Sequence, residues 1–150
     1  REKDLPPVTY RELAIKVLEI CENAGVSCVL HYFYKEAIEL GVKKIHLPLH
    51  ILEKMTEREK NCFEVIGVST HSVEQAKMAE KLGASYITAG HVFVTDCKKG
   101  LAPRGLGFLK GVCESVDIDV YAIGGISKEN MSGCIAAGAK GVCMMSGFMK

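Results

Sequence analysis

A chain of 150 residues, 48% hydrophobic and 25% charged, carries enough apolar material for one core of ordinary size. No run approaches the roughly 20 apolar residues of a membrane span, and no signal peptide opens the chain, so the expected setting is cytoplasmic. The net charge is +1 and the lysines are interleaved with Glu and Asp, which argues against nucleic acid or a membrane surface as partner. Any anion must then be held by a local site.

In chain order, apolar spacing predicts a helix over 9–24, with Thr9 and Glu12 at capping-box separation, and a strand over 26–31. A short helix over 35–40 and a strand over 44–47 follow, then an irregular or helical connection over 49–61. The next elements are a strand over 63–69, a helix over 72–82 opened by Ser72 and Gln75, and a strand over 85–90. A loop runs to 107, a helix lies near 108–116, and the chain closes with a strand over 119–123, a helix over 128–137 and a strand over 141–145. Helices end at Gly25, Gly41, Gly83 and Gly138, each followed by Val or Ala, as left-handed helix ends require. Strands alternating with helices imply a parallel sheet.

The cysteines show no CxxC and no Cys/His ligand pair. Cys28, Cys62 and Cys143 lie in or beside apolar strands, and Cys21 and Cys134 fall on helix faces, so they read as reduced packing thiols. Cys97 differs, because Lys98 and Lys99 stand beside it and their charge favours a thiolate.

The segment GHVFVTDCKKG, residues 90–100, places a histidine, an acid, a thiol and two lysines where a buried strand runs out. In parallel α/β folds, functional residues gather at the carboxyl ends of strands. Two glycine turns end the last two strands: Gly124 and Gly125, then Ser146 and Gly147. Such adjacent turns bind phosphate through backbone N–H groups in eight-stranded α/β barrels. Six strands also suit an open doubly wound sheet, but the paired turns favour the barrel. His46 and His71 have ordinary structural readings, as a strand-end hydrogen bond and a solvent-facing residue, and His50 falls in a loop with no assigned role.

The stretches GVSTHSVEQAKMAEKLGASYITAGHVF, YAIGGISKEN and AAGAKGVCMMSG resemble the thiamine phosphate synthase and TenI superfamily over essentially the whole chain. The opening REKD is similar to the end of that family's second barrel strand. The resemblance implies a (β/α)8 TIM barrel of the thiamine phosphate synthase type. On that reading residues 1–150 form one partial domain holding family strands three to eight, without the first two strands and the last helix.

Two chemistries compete inside the superfamily. The synthase joins a pyrimidine diphosphate to a thiazole phosphate with Mg²⁺, a hard ion that takes carboxylate oxygens. The family pattern supplies these in an Asn-Asp pair at the third strand and in HLGQxD at the fourth, where this chain has His31-Tyr32 and HLPLHI, residues 46–51. Tyr32 and Ile51 thus replace both carboxylates. The loop reads GHVF instead of the synthases' GPIF, which resembles the TenI-type thiazole tautomerase. That resemblance implies proton transfer by His91 during aromatisation of a carboxythiazole phosphate, with no metal and no cofactor. It further implies phosphate held on Gly124, Gly125, Ser146 and Gly147, a cation from Lys98, and Arg1 and Lys3 lining the mouth. Ser69 and Thr95 are hydroxyl contacts at strand ends, or caps of local backbone.

The alternatives are a non-catalytic thiazole phosphate-binding or regulatory TenI-like protein, a thiamine phosphate synthase, and another phosphate-binding barrel enzyme such as a sugar phosphate isomerase. The sequence leaves homo-oligomer formation open.

Overall fold

The computed structural model describes residues 2–145. They divide between Gly67 and Val68 into two compact units, with the boundary falling inside one strand.

The first unit opens with α1, Pro7–Asn23. The expected Thr9–Glu12 capping box does not form: the N-cap is Pro6, without a side-chain bond, and Pro7 sits in the first turn. Proline suits that place because its fixed φ is helical and its missing N–H is one the helix would leave unpaired. Tyr10 and Ala14 form the buried face. Tyr10 Oη donates to the His31 carbonyl at 3.1 Å, and its ring centroid lies 4.3 Å from that of Phe33.

The strand expected over 26–31 shrinks to β1, Leu30–His31. Its ladder with the parallel strand β2, Lys44–Pro48, covers only Leu30↔Ile45 and His31↔His46, while Val26 and Val29 stay exposed. Between them runs α2, Tyr34–Glu39. Strand β2 alternates: Ile45 and Leu47 are fully buried, His46 half-buried. The connection over 49–61, expected to be irregular or helical, holds two short helices, α3 (Leu49–Leu52) and α4 (Glu57–Lys60). A complete capping box opens α4, with Glu59 N–H on Thr56 Oγ1 at 3.3 Å and Thr56 N–H on Glu59 Oε2 at 2.8 Å. Strand β3, Val65–Thr70, begins beside β2 in this unit.

In the second unit the strand order is the end of β3, then β4 (Tyr86–Gly90), β5 (Asp119–Ile123) and β6 (Gly141–Cys143). The β4–β5 ladder runs parallel from Tyr86↔Asp119 to Gly90↔Ile123, and β5–β6 from Tyr121↔Gly141 to Ile123↔Cys143. Parallel neighbours need crossovers. These are α5 (Val73–Lys81), α6 (Gly105–Cys113) and α7 (Met131–Ala136). Ala76, Ala79, Leu109, Val112 and Cys134 on these helices are fully buried, as are Val68, Ile87, Ala89 and Ala122 on the strands.

The glycine punctuation has one physical cause. At Gly25, Gly41, Gly83 and Gly138 φ is positive, and the next residue's N–H reaches back five positions: Val26 to Cys21, Val42 to Ala37, Ala84 to Ala79 and Ala139 to Cys134. Each bond satisfies a carbonyl the helix end would leave open, and the following Val or Ala starts the chain back toward the sheet.

Two helix starts differ from expectation. Helix α6 begins at Gly105, three residues early, because the N–H groups of Arg104 and Gly105 already bond the carbonyls of His91 and Val92. Helix α7 begins late, at Met131, because Asn130 is engaged in the turn before it. All seven cysteines are free thiols, and burial pushes those of Cys28, Cys113, Cys134 and Cys143 up. Among the described residues no helix is long and apolar enough to cross a membrane.

Candidate active site

The carboxyl ends of β4 and β5 converge in the second unit. Beyond Gly90 the chain keeps pairing with β5: Val92 N–H donates to the Ile123 carbonyl at 3.0 Å and Phe93 N–H to the Gly124 carbonyl at 2.9 Å. The loop from 91 to 105 is pinned at its far end by Arg104 N–H on the His91 carbonyl (3.1 Å) and Gly105 N–H on the Val92 carbonyl (3.0 Å).

These contacts leave no space for side chains on the facing turn. A Cβ on Gly124 would stand 2.7 Å from His91 Cα and collide with His91 Cβ, and one on Gly125 would stand 2.9 Å from the Phe93 carbonyl carbon. Both residues have positive φ, +100° and +65°. Asn130 then locks the turn, donating from Nδ2 to the Gly125 carbonyl (3.0 Å) and accepting at Oδ1 from Ser127 N–H (2.9 Å). The carbonyls of Gly124 and Gly125 are therefore consumed internally. The Ile123↔Cys143 ladder position engages the strand end at Gly124, while among the turn and loop bonds of the described residues Gly125 N–H donates to no backbone carbonyl, which makes it the donor suited to an anion.

The structure brings His91, Gly124 and Gly125 together. His91 is only 9% exposed, and its Nε2 lies 3.4 Å from the Leu101 carbonyl, a long contact within its own loop. Thr95 caps the 3-10 turn Asp96–Lys98, accepting from Cys97 N–H at 3.4 Å. Lys98 and Cys97 are exposed on that turn, and among the described residues no bond joins Lys98 to the two glycines. Ser69 is half-buried on β3, beside a fully buried Thr70 whose hydroxyl donates to the Thr88 carbonyl at 3.1 Å. Lys3 is exposed in the turn before α1. Arg1, Ser146 and Gly147 lie outside the described residues.

Two contributors escaped the sequence reading. Asn130 is one, its only signal being an Asn just before a helix. His71 is the other: though exposed, it is not merely solvent-facing, because its Nδ1 lies 2.9 Å from the Gly90 carbonyl.

In the first unit, the ends of β1 and β2 carry aromatic rings. His31 stacks on His46 with centroids 5.9 Å apart and on Tyr32 at 6.2 Å. Burial pushes His46 down to about 4, so it is a neutral imidazole at physiological pH. Tyr32 has φ +75°, a left-handed conformation that Asn and Asp adopt more readily than tyrosine. Ile51 lies in α3. Phenol and alkyl groups at the two carboxylate positions of the synthase pattern do not fit Mg²⁺, which takes hard oxygen ligands. Among the described residues no three His, Cys, Asp or Glu side chains gather as a metal site.

The pattern of the thiamine monophosphate synthase family, TMP-TENI, matches residues 1–148. The chain belongs to this family. It is 34% identical over 150 residues to a putative thiamine-phosphate synthase 2 from Aquifex aeolicus, covering 100% of this chain and 81% of the relative. It is 33% identical over 156 residues to a thiamine-phosphate synthase from Clostridium novyi, covering 100% of this chain and 74% of that one. The solved thiamine phosphate pyrophosphorylase from Pyrococcus furiosus superposes with a TM-score of 0.80 at 30% identity, over 98% of this chain and 71% of that protein.

These relatives correct the expectation of a thiazole tautomerase: they are named synthase and pyrophosphorylase. The tautomerase reading rested on one histidine in one loop, whereas the likeness to synthases extends over the whole chain. The His91 side chain is nearly buried, with Nε2 3.4 Å from the Leu101 carbonyl of its own loop.

Two measurements check this description. Gly124→Ala should destabilise by about 3 kcal/mol or more, combining left-handed strain with overpacking. Gly83→Ala, where φ is +92° but nothing lies within 4 Å, should cost only about 1–2 kcal/mol in the same urea titration. His46 makes a pH prediction. Its folded value of about 4 lies below the unfolded 6.5, so between these values the unfolded chain holds the proton and the folded chain does not. Its contribution should be complete above pH 6.5 and lost as pH falls toward 4. Urea midpoints of His46→Phe should lack that part of the acid slope.

Proposed function

We propose that the chain acts as a thiamine-phosphate synthase, joining a pyrimidine diphosphate to a thiazole phosphate, and that β1–β6 are strands three to eight of one (β/α)8 barrel domain. The single observation that carries the reading is the side-chain-free, positive-φ turn at Gly124–Gly125, packed against residues 91–94 at a strand end where such barrels hold phosphate on backbone N–H groups. Whole-chain identity of 34% to a putative synthase supports the chemistry.

In this reading the N–H groups of Gly124 and Gly125 take the phosphate of the thiazole partner, and Asn130 keeps them aligned. Packing of residues 91–94 against the turn keeps water and side chains out of it. Lys98 supplies a mobile cation, and the hydroxyls of Ser69 and Thr95 offer polar contacts. Ser146, Gly147, Arg1 and Lys3 contribute as the family resemblance implies. Because Tyr32 and Ile51 do not suit Mg²⁺, no step is assigned to a metal at those positions. Those two residues also favour a second reading, a family member that binds the phosphate ester without completing the transfer.

Incubation of the full chain with both substrates should yield thiamine phosphate, detected by oxidation to its fluorescent thiochrome derivative. Saturable thiazole phosphate binding with no product would select the binding protein, and neither binding nor product would refute both readings.

A further inference from the structure

We infer that His71 is a positioning residue for the phosphate-ester site, its ring holding the Gly90 carbonyl and so setting the backbone that carries His91 against Gly124. The inference rests on the reading of the Gly124–Gly125 turn as that site.

His71 directly follows β3 and is fixed twice. Its backbone N–H donates to Gln75 Oε1 at 2.7 Å, while Gln75 N–H donates to Ser72 Oγ at 3.2 Å, which ties His71 to the first turn of α5. Its ring Nδ1 lies 2.9 Å from the Gly90 carbonyl oxygen. A carbonyl oxygen only accepts, so Nδ1 carries the proton and the neutral ring presents a bare Nε2.

Gly90 is held from two directions. A Cβ there would stand 3.2 Å from the Ile123 carbonyl carbon, so β5 lies too close for any side chain at this position, while the His71 ring bonds its carbonyl. The next residue is His91, whose Cα and Cβ fill the space a Gly124 side chain would need. A rotation of the Gly90–His91 peptide would therefore be transmitted directly to the Gly124 turn.

The test uses the full chain, ¹⁵N-labelled, with His71→Ala and His71→Asn. Asparagine places an Nδ2–H donor the same number of bonds from the backbone but lacks Nε2. In ligand-free protein, His71→Ala should shift the His91 and Val92 amide resonances, and it should weaken inorganic phosphate binding by about tenfold, the scale of one lost hydrogen bond. His71→Asn should restore the resonances and bring affinity to within about threefold of wild type. Unchanged His91 and Val92 resonances in the alanine variant, or an asparagine variant as impaired as alanine, would overturn the inference. If His71→Ala does not fold, the wild-type ring decides: long-range ¹H–¹⁵N correlations should show Nδ1 protonated, and an Nε2–H tautomer would refute the clamp. Wild-type protein that fails to bind phosphate would instead sink the anion site, with the positioning claim judged on the ligand-free resonances.

Discussion

The backbone of residues 91–94 lies directly against Gly124 and Gly125, and the rest of the site is arranged around that contact. Two strand ends can approach this closely only where both turn residues lack a Cβ, and both are glycine with positive φ. The approach uses up the turn's carbonyls, on Phe93 N–H and on Asn130 Nδ2. One steric requirement thereby yields a packed strand end and a fixed turn, the feature on which the proposed phosphate site rests. A preorganised pair of amides needs no rearrangement when an anion arrives, which is the property that makes fixed dipoles effective.

The first unit carries a different chemistry. Stacked His31, Tyr32 and His46 make the ends of β1 and β2 aromatic and poorly solvated, and the same burial holds His46 neutral. A carboxylate pair binding a hard cation would need the opposite surroundings, polar and able to share negative charge. Tyr32 keeps the left-handed backbone that an Asn or Asp would occupy with less strain. The carboxylate donor of the synthase pattern is not present at Tyr32.

Much of the fold was readable because its punctuation is local. The glycine stops at Gly25, Gly41, Gly83 and Gly138 follow from backbone conformation alone, and the strand Asp119–Ile123 and the Ser72 cap appear where the pattern put them. Errors arose where a tertiary partner decides. Whether 26–29 joins a ladder depends on β2 offering only two register positions, and no periodicity encodes that. The capping box at Thr56 and Glu59 is local too, but it opens only a four-residue helix inside a connection expected to be irregular or helical, where no apolar period marks it.

At the site, the glycine pair was legible as a turn, but its packing against His91 was not, since the two segments are over thirty residues apart in the chain. Asn130 and His71 act by bonding backbone carbonyls, a role that any exposed polar residue can play and that sequence does not single out. The functional misreading had a similar origin. A single histidine in one loop was given more weight than the chain-wide likeness to synthases.

The central claim, that the Gly124–Gly125 turn holds the phosphate of the substrate, is tested most directly by following backbone amide resonances during titration with thiazole phosphate. The account predicts saturable shifts largest at Gly124 and Gly125, with smaller ones through residues 91–93, at a single affinity. Saturable binding that leaves those amides unmoved and shifts others would contradict it.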